Sequence, residues 1–182
     1  MDREELTTAL KTVLDQLKPL RYRLVGTGAA LLQGVQIRTG DIDLLVAHRD
    51  DVDRFAAATG TAATWLPEPR QYFAHARLGE TEVSMSTVEM PTDRAGFECV
   101  GSGPWEHYTE VAVGEHLVPA VALELRLATE LVRDRPDRYD ALIAHMRTHG
   151  YDEKLAETAM RDRGVHPDRC QRVLDELGAP GR

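Results

Sequence analysis

Asp41 and Asp43 stand two residues apart at the head of an apolar run, Ile42, Leu44, Leu45 and Val46. Side chains alternate along a strand, so both carboxylates leave one face with Cα atoms roughly 6.5–7 Å apart, while Ile42, Leu44 and Val46 enter the core. Two oxygen donors so placed can converge on one hard divalent cation. The same pattern also suits the solvated end of an ordinary strand, so the surroundings decide its weight. Upstream, Tyr22 to Val25 reads as a short strand running into Gly26-Thr27-Gly28, and Ala29-Ala30-Leu31-Leu32 then favours a helix closed by Gly34. Such a strand, tight turn and helix can offer backbone N–H groups and the Thr27 hydroxyl to phosphate oxygens. Phosphates and a cation-binding acidic pair would support one another.

The remaining elements must hold that corner in place. Leu6, Ala9, Leu10, Val13, Leu14 and Leu17 recur at helical spacing, with Pro19 as the expected end. After the Asp41 strand, Asp50 or Asp51 can cap a helix in which Val52, Phe55 and Ala56 share a face and Gly60 is the stop. A weak strand and a loop follow between Thr61 and Arg70. Tyr72 to Leu78 and Thr81 to Val88 then read as a hairpin around Gly79-Glu80. From Pro91 to Pro104 the periodicity lapses, which suggests a long connection bordering a site. A last hairpin is expected from Thr109 to Val113 and Leu117 to Val121.

Beyond about Pro119 the signals are helical: Leu123, Leu127, Leu131 and Val132; then Tyr139, Leu142, Ile143 and Met146, with Pro136 in a first turn. Asp152 and Pro167 mark two more helix starts. The expectation is an α/β (α+β) chain with a core over residues 1–118 and a carboxy-terminal helical lobe over residues 119–182. The site would lie in the cleft between them.

Composition removes several function classes. A net charge of -8 opposes the wrapping of long nucleic acid, which needs a dense lysine and arginine surface. The acidic amino terminus, Asp2, Arg3, Glu4 and Glu5, leads into alternating positions rather than an apolar run, so a cytoplasmic protein without membrane contact is expected. Cys99 and Cys170 have neither CxxC nor zinc-ligand spacing, and Cys170 reads as a small packing residue. Leu31 stands where a dinucleotide fingerprint needs its third glycine, and no Gly-Lys-Ser/Thr makes a P-loop. His145 and His149 share a helix face without an acidic partner, which fits a solvated helix end. Trp65, Tyr72, Phe73 and Trp105 suit core packing more than base stacking. Arg126, Arg133, Arg135 and Arg138 either clamp phosphates across a cleft or form a solvated face, the commoner outcome for arginines among acidic neighbours.

Leu24-Val25-Gly26-Thr27, thirteen residues, and Asp41-Ile42-Asp43-Leu44 together resemble the signature of the DNA polymerase β-like nucleotidyltransferase superfamily. The stretch VGTGAALLQGVQIRTGDIDLLV looks most like its small bacterial branch of abortive-infection and minimal nucleotidyltransferases. Thr27 replaces a usual Gly or Ser, Gln33 a common His, and Arg38 sits one position nearer Thr39 than the usual arginine. The resemblance implies a nucleotidyltransferase-type mixed sheet with packed helices, and a third carboxylate on a neighbouring strand, for which Glu82 in Gly79-Glu80-Thr81-Glu82-Val83 is the candidate.

It further implies that Asp41, Asp43 and Glu82 hold Mg2+, and that Gly26, Thr27, Gly28 and Arg38 hold the phosphates of an NTP. The implied reaction moves a nucleoside monophosphate to a hydroxyl of a small molecule or protein and releases pyrophosphate. Metal bridging the triphosphate neutralises charge on the α-phosphoryl centre and on the leaving group. The rival expectation is a catalytically inactive relative that keeps the fold as a ligand-binding or partner-binding module.

Overall fold

The computed structural model describes residues 1–16, 21–67, 70–88 and 103–179. The helix end expected at Pro19, Cys99, and all of the Pro91 to Pro104 connection except its last two residues lie outside them. In chain order the elements are α1 (Arg3–Gln16), β1 (Tyr22–Val25), α2 (Gly26–Leu32), β2 (Asp41–Val46), α3 (Arg49–Thr59), β3 (Thr64–Leu66), β4 (Gln71–Leu78) and β5 (Thr81–Val88). There follow α4 (Gly103–Glu106), β6 (Tyr108–Val113), β7 (His116–Val121), α5 (Leu123–Val132), α6 (Pro136–His149), α7 (Glu153–Asp162) and α8 (Pro167–Gly178). Among the described residues no helix is long and apolar enough to cross a membrane.

The strands form one mixed sheet in the order β3-β4-β5-β2-β1-β7-β6. β2 lies antiparallel to β1 and parallel to β5, and β1 lies parallel to β7. These pairings align an apolar row across five strands: Ala74, Met85, Leu44, Leu24 and Ala120. Each member is at most 1% exposed, because this face joins the core with Leu6 and Leu10 of α1, Leu32 of α2 and Phe55 of α3. One residue along each strand, the opposite face carries the row His75, Ser84, Asp43 and Val25. The alternation that buries Leu44 therefore sets Asp43 on the other side of the sheet.

That second face is closed at its far end. Leu45 and Arg23 pair across β2 and β1 and are 2% and 7% exposed. Arg23 donates to the carbonyls of Pro104 (2.9 Å) and Trp105 (3.1 Å) and stacks on Tyr108, its guanidinium carbon 3.7 Å from the ring centroid. Trp105 is thus a packing residue of α4, lying against Arg21 and Arg23. Trp65 and Tyr72 pack under Arg49 of α3, and Tyr72 donates to Asp53 at 2.5 Å.

α3 begins two or three residues earlier than a cap at Asp50 or Asp51 would allow. Its N-cap is His48, and both aspartates lie in the first turn, where carboxylates favour the helix dipole. Gly60 stops it in a left-handed conformation, as expected. In α5 every residue from Leu125 to Leu131 is buried, including Arg126, Thr129 and Glu130. Arg126 and Arg138 both pair with Glu130; Arg126 is buried and so forms no part of a solvated face, whereas Arg138 is part-exposed. Arg135 is exposed beside Asp137. His145 and His149 stack with ring centroids 4.0 Å apart, and burial, then the charge of His149, holds the His145 imidazole below the usual histidine range. Cys170 is half-buried, with its sulfur 3.5 Å from the Val165 carbonyl.

Candidate active site

Both aspartates lie on β2, which is central in the sheet, and their positions differ in exposure. Asp41 is exposed, whereas Asp43 is half-buried. Ser84 Oγ donates to Asp43 Oδ1 at 2.6 Å, and the second oxygen of Asp43 lies against Gly26. A Cβ built on Gly26 would sit 2.6 Å from Asp43 Oδ2, closer than any real contact of that kind, and Gly26 has φ +70°. The backbone conformation favours glycine there, and a side chain at this position would also push the Asp43 carboxylate from its place. Gly28 differs, since a Cβ there would meet the Asp41 carbonyl oxygen at 3.7 Å, an ordinary contact.

The tight turn expected at Gly26-Thr27-Gly28 is instead the first turn of α2, which starts at Gly26 and has all seven of its residues buried. Thr27 is only 7% exposed, and its hydroxyl lies 3.0 Å from that of Thr39. Thr39 Oγ1 also donates to the Asp41 carbonyl at 3.0 Å. The threonines thereby tie α2 to the start of β2. The Thr27 hydroxyl serves this packing. Arg38 is exposed, with its guanidinium 4.0 Å from Glu5.

Glu82 pairs with Asp41 in the parallel β2·β5 register, so the sheet brings all three expected acids to one face. The side chains do not converge. Glu82 Oε2 lies 2.5 Å from Nε2 of His75, one strand further from β2, while Arg77, directly across from Glu82, pairs with Glu80 at 2.9 Å. Among the described residues no three His, Cys, Asp or Glu side chains stand together closely enough to hold a metal ion. Asp41 and Asp43 supply oxygen ligands suited to a hard divalent cation, and the Gly26 cradle fixes the second of them. Glu82 would complete the set only after leaving His75.

Alternation along β5 already puts Ser84 on the face of Glu82, whereas His75 and Thr39 are the site neighbours that reading along the chain leaves out. For His75 a signal existed. A two-residue hairpin turn at Gly79-Glu80 fixes the register, Leu78 against Thr81 and so His75 against Ser84, which puts His75 on the face of Glu82.

No family model matches the chain, and no curated protein matches it in sequence. Among solved structures, a Thermotoga maritima protein that carries the provisional name nucleotidyltransferase superposes with a TM-score of 0.56 at 16% identity, over 82% of this chain and 97% of that one. The fold is nucleotidyltransferase-like. At this identity the likeness bears on the fold alone, and the site must be argued from its own residues.

The Gly26 cradle yields a paired prediction. Gly26→Ala combines a left-handed alanine, costing roughly 1–2 kcal/mol, with displacement of Asp43 from its bond to Ser84. It is expected to lower the melting temperature and to weaken Mn2+ binding, measured by calorimetry. Gly28→Ala is expected to leave metal binding at the wild-type level. Equal behaviour of the two variants would show that the Gly26–Asp43 contact is not part of a site.

Proposed function

We propose that this protein is a Mg2+-dependent nucleotidyltransferase that moves a nucleoside monophosphate from an NTP to a hydroxyl of a small molecule or protein and releases pyrophosphate. The observation that carries this reading is the seating of Asp43 on Gly26 at the β1–α2 junction, with Asp41 two residues away on the same face, in a nucleotidyltransferase-like fold. Neither feature alone distinguishes a site from a strand end. Together they couple the acidic pair to the first turn of α2.

In this reading Asp41 and Asp43 hold the cation, Glu82 is its third ligand, and the backbone of Gly26, Thr27 and Gly28, with Arg38, lies along the triphosphate. Bound Mg2+ supplies charge neutralisation at the α-phosphoryl group and the leaving pyrophosphate. The chain's own part is positional. The Thr27–Thr39 contact fixes α2 against β2, Ser84 orients Asp43, and the closed end of the face at Leu45 and Arg23 limits the site to the Asp41 end.

A second reading, a catalytically inactive module that binds a ligand or partner, is favoured by the His75–Glu82 pair and by the lack of a three-ligand cluster among the described residues. Calorimetry of the wild type with Mg2+ and each NTP separates the two. The enzyme reading expects metal-dependent NTP binding, followed by pyrophosphate release when hydroxyl-bearing acceptors are screened. NTP binding that ignores Mg2+, or none, leaves the inactive module.

A further inference from the structure

The His75–Glu82 contact on the acid-bearing face has a direction. β5 lies between β4 and β2, so Glu82, on β5, can turn toward either neighbour. Its carboxylate is engaged with His75 on β4, on the side away from Asp41 and Asp43. The residue directly opposite Glu82 on β4, Arg77, is occupied by Glu80, and the contact to His75 is the diagonal one, within reach of two long side chains. Both partners are part-exposed, at 51% and 40%, so neither is locked by packing and the pair can open.

We propose that His75 is a positioning residue that parks Glu82 off the acidic pair, so that His75 and a divalent cation compete for the same carboxylate. The inference rests on the proposed metal site and adds that its third ligand is withheld in the metal-free protein. Loading then requires Glu82 to exchange His75 for the cation bound at Asp41 and Asp43, with no covalent change. Full loading would thereby need a cation concentration about two- to fivefold higher than it would without His75.

The experiment is Mn2+ binding, by calorimetry and by the loss of free-ion electron paramagnetic resonance signal. It uses the full-length wild type, His75→Ala, His75→Gln, Glu82→Gln, the His75→Ala/Glu82→Gln double variant and Asp41→Asn/Asp43→Asn. His75→Ala is expected to bind Mn2+ about two- to fivefold more tightly, the factor corresponding to the loss of one exposed side-chain contact to the carboxylate. His75→Gln, whose amide N–H can replace Nε2–H, is expected to return affinity toward wild type. Glu82→Gln is expected to bind more weakly, and in its background His75→Ala should have no further effect.

A gain that persists without Glu82, or His75→Ala binding no more tightly than wild type, overturns the inference while leaving the site reading intact. Mn2+ binding that survives Asp41→Asn/Asp43→Asn, or is absent from the wild type, overturns the site reading and this one with it. Matching melting temperatures for the His75 variants and wild type confirm that each comparison is made on folded protein.

Discussion

An Asp41→Asn/Asp43→Asn double variant is expected to fold at least as stably as the wild type and to lose metal-dependent nucleotide binding, with any nucleotidyl transfer falling by three orders of magnitude or more. The stability half follows from the local contacts. In Asp43→Asn the side-chain amide keeps an oxygen to accept from Ser84 and matches the shape of the carboxylate against Gly26. Asp41 is exposed, and Thr39 Oγ1 lies 3.5 Å from its carboxylate. Two like charges roughly 7 Å apart repel by about 0.6 kcal/mol at the dielectric of water and by about 2.4 kcal/mol at an effective value of 20. Removing them relieves that repulsion.

The functional half follows from what the charges would do. Metal stabilisation of a phosphoryl-transfer transition state is worth several kcal/mol, and each 1.36 kcal/mol is tenfold in rate. Thermal melts with and without Mg2+ check the prediction directly: the wild type should gain stability from the ion and the double variant should not. Opposite responses in stability and function mark a site kept for chemistry at a cost to the fold. A double variant that melts well below wild type would instead make the pair a structural feature.

Much of this corner is legible in the sequence because its logic is local. β1 and β2 fall where the apolar runs predict them, and alternation alone sets Asp41 and Asp43 apart from Ile42, Leu44 and Val46. The sequence pattern starts α2 three residues late. Gly26, Thr27 and Gly28 have low helix propensity, so they read as a turn, yet Gly26 at φ +70° makes the bend by itself and the helix begins at once. The Asp41–Glu82 alignment needs the parallel pairing of β2 with β5, a tertiary fact that no local pattern records, and comes instead from family likeness. Where Glu82 points is a still finer matter. It depends on His75, whose place follows from hairpin register rather than from any motif.

The arginines of α5 and α6 show the opposite case, in which a local rule misleads. Arg126 and Glu130 are four residues apart, a spacing that usually marks an exposed helical pair worth a few tenths of a kcal/mol. Here they are 3% and 0% exposed, and Glu130 is shared with Arg138. Charge buried in this way is costly to leave unmatched. Arg126→Met is therefore expected to destabilise the protein by about 3–5 kcal/mol, a fall of roughly 6–20 °C in melting temperature for a chain of this size. Most of that loss is the penalty of a buried carboxylate deprived of its nearest partner, not the strength of the pair itself. An Arg126→Met/Glu130→Met double variant should accordingly recover most of the stability, because Arg138 is part-exposed and already approaches Asp137 at 4.0 Å. Thermal and urea melts of the two variants decide the matter. If the double variant is no more stable than Arg126→Met, the cost lies in the packing of the arginine stem and not in the charge left behind.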